Sequence, residues 1–176
     1  ARHVADDLGD RVATILDGGP CDVGIESTIV AFDGDRPLLM RPGGIGVDAL
    51  ARVLGREPDA PGDDAPRASG THASHYAPHA AAFLVPADAL PVEIERLAER
   101  DEVVGVLART ARRHDAFDGA WIDAPVDVVA YARELYGNLR RLDALHPDAI
   151  LIEAPPDDDA AWLAVRDRLE RATHPT

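Results

Sequence analysis

Over residues 3–17, HVADDLGDRVATILD, the apolar positions Val4, Leu8, Val12 and Ile15 recur on one helical face, and Gly18-Gly19 supplies a stop. The next stretch, GIESTIVAF (24–32), is rich in β-branched residues and predicts a strand. Asp33-Gly34-Asp35 reads as a turn and PLLMR (37–41) as the returning strand of a hairpin. Pro42-Gly43-Gly44 breaks that pattern, and VDALARVLG (47–55) predicts a short helix ending at a glycine.

A change of composition follows. From Gly55 to Ala82 there is no Val, Ile, Leu, Met, Phe or Trp, and Tyr76 is the only large side chain with an apolar body. Such a stretch buries too little apolar surface to offset its own ordering, so it reads as a linker. Beyond it the pattern alternates. Strands are predicted at 81–85, 102–108, 119–123 and 149–154, and helices at 91–100, 126–145 and 160–173. Val128, Leu135, Leu139 and Leu142 share one face of the long helix, while Trp162, Val165 and Leu169 point inward from the last. Strands without polar alternation, separated by helices, indicate a mostly parallel sheet covered on both faces. The expected architecture is α/β. A segment at 1–54 is too small to stand as a domain by itself; a linker at 55–80 and a small Rossmann-like domain at 81–176 follow it. No G-x-G-x-x-G follows the first strand of that domain, so a dinucleotide is not indicated.

Charge narrows the partners. The net charge is −14 and all 18 basic residues are arginine. Polyanion affinity rests on basic residues displacing counterions, so direct nucleic-acid binding is not expected, nor is an anionic membrane surface. No apolar run is long enough to span a bilayer. The single cysteine, Cys21, excludes an internal disulfide, fits a reducing, cytoplasmic compartment, and is expected to be a packed thiol.

Three motifs, in order along the chain, carry a resemblance. The segment HVADDLGDRVATILDGGPCDVGIESTIVAFDGDRPLLMRPGGI, with its GG pair, G-I-E-S-T-I-V and L-M-R-P-G, resembles the C-terminal part of the YrdC-like catalytic domain of threonylcarbamoyl-AMP synthases. SGTHASHYAP resembles that family's interdomain linker, and ELYGNLRRLDAL with AILIEA and RDRLERA resembles the C-terminal domain of its two-domain members. Two departures stand out. Ser69-Gly70-Thr71-His72 replaces a common Pro-Gly-Met-Lys, and Asp159-Ala160-Ala161-Trp162 replaces a Gly-Leu-Gly-like stretch. The family's catalytic domain also carries a long segment ahead of this match, with a Thr-rich strand motif, a Lys-Arg pair and a Ser-Ala-Asn stretch. None of these is in the sequence.

The resemblance implies synthesis of threonylcarbamoyl-AMP from L-threonine, bicarbonate and ATP, with Mg2+ arriving with the nucleotide, for threonylcarbamoyladenosine modification of tRNA. This chain alone is expected to be inactive without the N-terminal catalytic segment. Aligning two anions needs hydroxyls, an arginine and a divalent cation more than a covalent nucleophile, so no catalytic nucleophile is expected here. By family match Ser27 is the L-threonine-binding residue. Period-two geometry lets only one of Ser27 and Thr28 face the cleft, and a backbone-bonded strand hydroxyl is the commoner outcome. Arg41, at a strand end beside a glycine loop, is expected to bind the nucleotide, with His75 and Tyr76 closing over it as a short clamp. Glu26 reads as an exposed carboxylate. Arg140 and Arg141 read as interface residues close to Asp143. His72, His75 and His79 superficially offer zinc ligands, but a linker does not pre-align them and no metal site is expected. Two other classes are left open: a non-catalytic module whose C-terminal domain binds a ligand or partner, and a carbamoyl-transfer relative, although such YrdC-like enzymes lack this linker and C-terminal domain.

Overall fold

The computed structural model describes residues 1–62 and 77–174. Among these residues the larger unit is a four-stranded, all-parallel sheet of β3 (Ala81–Val85), β6 (Ala149–Glu153), β4 (Val104–Ala108) and β5 (Ala120–Asp123), in that spatial order. Helices α4 (Val128–Asp143) and α5 (Leu163–Ala172) cover one face, and α3 (Leu90–Ala98) the other. Alternation along β6 divides the core between them. Ile150 and Ile152 pack with Leu135, Leu139, Leu142, Val165 and Leu169, whereas Ala149 and Leu151 pack with Leu90 and Leu97. Because β4 and β6 are buried along their whole length, they need the unbroken apolar runs that the sequence displays.

The N-terminal segment forms a hairpin of β1 (Ile29–Asp33) and β2 (Arg36–Arg41), followed by α2 (Val47–Leu54). Gly34, at φ 59°, makes the tight turn. Gly55, at φ 76°, caps α2 and donates to the Ala51 carbonyl. The first residues of the linker are ordered against this hairpin: the Asp59 amide donates to Pro37 O at 2.9 Å, and the Leu39 amide donates to Asp59 O at 2.8 Å. An open strand edge offers backbone donors and acceptors and asks for no apolar side chain, so a stretch poor in them can still dock there.

Three expectations are corrected. The helix expected over 3–17 is α1 (Arg2–Leu8) and one 3-10 turn (Gly9–Arg11), with no buried residue, and among the described residues Val4 and Leu8 stay exposed. A face left exposed does not extend a helix. The strand expected from 24 begins only at Ile29. Cys21 is exposed, not packed. No helix among the described residues is long and apolar enough to cross a membrane.

Candidate functional site

The hairpin's open end builds the site. A register shift between Ile29 and Val30 pairs Ile29 with Arg41 but Val30 with Leu39, leaving Met40 unpaired. Such a bulge re-aims the side chain beside it. The Arg41 side chain turns back over the chain that enters β1. Its Nε and Nη2 donate to the Ser27 carbonyl at 3.1 and 2.9 Å, and Nη2 also reaches Ser27 Oγ at 3.3 Å. Arg41 is buried, at 7% exposure, whereas Ser27 is exposed. Two residues that the sequence singled out for different ligands are thus in direct contact.

Thr28 differs from its neighbour. Its hydroxyl donates to Ile45 O at 2.8 Å and accepts from Ile45 N at 3.0 Å, stitching the glycine loop to residues 26–28. Gly43 makes this approach possible: a Cβ there would lie 2.3 Å from Thr28 N and 2.5 Å from both Ser27 C and Glu26 O. Residues 24–28 cannot continue β1 because the glycine loop occupies the place of a partner strand. The backbone approach expected of this loop is therefore made to the protein's own chain.

The segment is seated on α4 and α5. Gly24, at φ 79°, lies so close to α4 that a Cβ would come within 2.2 Å of Arg133 Cα. Glu26 is not the exposed carboxylate expected of it. It accepts from Arg168 Nε at 2.5 Å and from the Tyr136 hydroxyl at 3.2 Å. Burial pushes its carboxyl up, but the bonds from Arg168, its own backbone amide and Tyr136 outweigh that and hold it below the usual range. Arg168 is itself buried, donates to Pro42 O at 3.0 Å through Nη2 and contacts the Asp167 carboxylate through Nη1. Arg140 reaches Asp7 at 2.6 Å, as an interface residue would, while Arg141 bonds Asn138 on its own helix. Asp143 serves neither arginine. It takes His79 Nδ1 at 2.8 Å and the Ala80 amide at 3.0 Å, anchoring the linker's end to α4. His75 and Tyr76 lie outside the described residues. Among the described residues no three His, Cys, Asp or Glu side chains converge as a metal would need.

A second polar cluster lies at the carboxyl edge of the parallel sheet. Buried Glu153, the last residue of β6, accepts from the amides of Arg109 and Thr110 at 2.7 Å, from that of Ala111 at 2.9 Å, and from the Thr110 hydroxyl at 2.5 Å. Burial raises its carboxyl, and these donors outweigh it and hold it below the usual range. The Arg109 guanidinium lies 5.1 Å over the Trp162 ring and 3.6 Å from Glu153. The hydroxyl of Tyr131 nearby is pushed well up by burial and by the Glu153 charge.

A parallel three-layer α/β unit with a hairpin and glycine loop locked onto one helical face defines the class: a two-part α/β protein whose candidate site belongs to the smaller part. The chain belongs to the family "Threonylcarbamoyl-AMP synthase, C-terminal domain", whose profile matches residues 45–173. It is 33% identical to the threonylcarbamoyl-AMP synthase of Pyrococcus abyssi over 98% of this chain and 53% of that protein. With the Bacillus subtilis protein of the same name it shares 33% identity over 98% of this chain and 52% of that one. Among solved structures, Pyrococcus abyssi Sua5 complexed with L-threonine superposes with a TM-score of 0.84 at 30% identity, over 98% of this chain and 53% of that one. The chain thus spans about half the length of the curated relatives it matches.

Proposed function

We propose that this chain is part of a threonylcarbamoyl-AMP synthase, a nucleotidyltransferase, in which its hairpin and glycine loop form one wall of the substrate site. In that reaction the amine of L-threonine and bicarbonate give a carbamate with loss of water. A carbamate oxygen attacks the α-phosphorus of ATP, the bond to the β-phosphate breaks, and pyrophosphate leaves. Mg2+ comes with ATP as part of the substrate.

The observation that carries the reading is the Ser27–Arg41 contact. With the Thr28 hydroxyl spent on Ile45, Ser27 offers the exposed hydroxyl of the pair, in keeping with a role toward L-threonine. Arg41 is fixed by a carbonyl it grips through two nitrogens, and a guanidinium held that way is preorganised for an anion brought against it. We assign His75 and Tyr76, which lie outside the described residues, to the nucleotide; the linker's two described ends are tied to β2 and to α4. A fixed wall and a tethered cover suit a reaction that depends on alignment and exclusion of water. The product feeds tRNA modification, but with a net charge of −14 this chain does not itself hold the tRNA.

Turnover needs the catalytic segment that the longer relatives carry as well. The test is pyrophosphate release from ATP, measured with and without L-threonine and bicarbonate, by the chain alone and joined to that segment. Release that requires both co-substrates and appears only with the added segment supports the reading. Its absence from folded, joined protein overturns it.

A further inference from the structure

We infer that Arg168, on the last helix, is a positioning residue for the Ser27–Arg41 pair; the inference rests on the function proposed above. Glu26 precedes Ser27 and Pro42 follows Arg41. Arg168 holds both neighbours, through Nε to the Glu26 carboxylate at 2.5 Å and through Nη2 to the Pro42 carbonyl at 3.0 Å. Arg41 in turn holds Ser27. The result is a closed ring: Ser27, Glu26, Arg168, Pro42, Arg41 and back to Ser27, made of two peptide linkages and three sets of hydrogen bonds. Any drift of one loop against the other must break a bond in it.

The ring has no simple role in stability. Arg168 is 3% exposed, and a buried ion pair recovers little beyond its desolvation, so apolar residues of similar volume often serve stability as well or better. Other charge pairs between α4 and the N-terminal segment, Arg140 with Asp7 and Arg133 with Asp22, are far more exposed and contribute little. What a fully engaged guanidinium provides that an apolar plug cannot is direction. Its planar fork fixes a carboxylate and a carbonyl at set angles. Tyr136 adds a further bond to the same carboxylate from α4. The C-terminal unit thereby sets the spacing of Ser27 and Arg41 while touching no substrate itself.

The test compares Arg168→Met, Arg168→Lys and the double variant Glu26→Gln/Arg168→Met, which leaves no unpaired charge in the interface, with Arg140→Met as control. In the joined, active protein, Arg168→Met and the double variant raise KM for L-threonine by at least about tenfold with kcat changed far less; thermal stability holds in the double variant and falls in Arg168→Met, which leaves the Glu26 carboxylate without its guanidinium. Arg168→Lys, which keeps the charge but loses the fork, falls between, and Arg140→Met leaves KM unchanged. A KM unaffected in the folded double variant, or raised equally by Arg140→Met, overturns the inference. The chain itself gives a second readout independent of activity. Amide exchange at Ile45, whose N–H is held by Thr28, accelerates at least about tenfold in the double variant while β4 and β6 amides keep their rates. Were the joined wild-type protein inactive, the function would fail on that result alone. Unchanged exchange at Ile45 would overturn the positioning role whatever the activity.

Discussion

Replacing Gly24 by alanine tests how the N-terminal segment is held. Gly24 has φ 79°, a region that costs an L-residue roughly 1–2 kcal/mol. Its new Cβ would meet Arg133 Cα at 2.2 Å and the carbonyl oxygens of Ala132 and Arg133 at 2.6 Å. All three are backbone atoms of α4, which is locked into the core by Tyr131, Leu135, Leu139 and Leu142. No side chain can swing aside, so the loop must retreat. Restoring an ordinary carbon–carbon contact of about 3.5–4 Å requires a retreat of roughly 1.5 Å, enough to break the Glu26–Arg168 bond. Overpacking of this kind costs about 1–3 kcal/mol, so the two effects together oppose docking by about 2–5 kcal/mol. The expected outcome is selective. In limited proteolysis Gly24→Ala is cut within residues 12–28 much faster than wild type, while denaturant unfolding of the parallel sheet shifts little. Gly18→Ala is the control, since nothing lies within 4 Å of its new Cβ and its φ is not positive. If Gly24→Ala and Gly18→Ala resist proteolysis equally, the close seating of this segment on α4 is wrong.

Glu153→Ala removes the acceptor that three partly buried amides share at a buried carboxylate, so denaturant unfolding should show the sheet unit destabilised, with Glu153→Gln intermediate. Because the folded carboxyls of Glu26 and Glu153 lie below their ordinary value of 4.5, their contribution is complete above that value and is lost as pH falls through the lower folded one. The stability gap between wild type and Glu153→Gln should therefore narrow on acidification below about pH 4.5, and a gap that stays constant would contradict the assigned donors. Arg41→Lys cannot grip the Ser27 carbonyl through two nitrogens; in the joined protein kcat/KM for L-threonine should drop at least about tenfold, with thermal stability nearly kept.

The parallel sheet was legible because its signals are local. AILIEA is an apolar run bounded by an acid, and the stripe of Leu135, Leu139 and Leu142 repeats at helical spacing. The sheet unit's elements lie within a residue or two of their expected bounds, except that the last helix opens with a 3-10 turn, Ala160–Trp162, ahead of α5. Residues 24–28 were not legible, because what stops them being strand is tertiary: Gly24 against α4, and Gly43 against Thr28. The misreading of Glu26 has the same origin, since Arg168 lies 142 residues away. One signal was nonetheless present. Val165, Leu169 and Ala172 form the buried stripe of the last helix, and Arg168, three residues after Val165 and four before Ala172, falls on that stripe. A charge there calls for a partner on a neighbouring element in addition to Asp167 of its own helix. The extent of α1 was misjudged for the opposite reason: its apolar face repeats correctly, but among the described residues that face stays exposed.

Glu153 bears on which part of the protein meets ligand. In open α/β sheets, ligands settle beyond the carboxyl ends of the strands, where backbone amides are free to cradle an anion. At that edge of this sheet, three successive amides after β4 do converge on an anion, and the anion is the protein's own Glu153 carboxylate. A nucleotide phosphate at that position would have to displace a buried group that already accepts four hydrogen bonds. The C-terminal unit has thus satisfied internally the feature that would make it a nucleotide-binding domain. Its opposite assets are outward and structural: Tyr136, Asp143 and Arg168 present side chains that grip Glu26, the linker end and Pro42. The balance favours a unit that holds the hairpin wall and the tether of the linker in register over one that binds a phosphorylated ligand of its own at that edge.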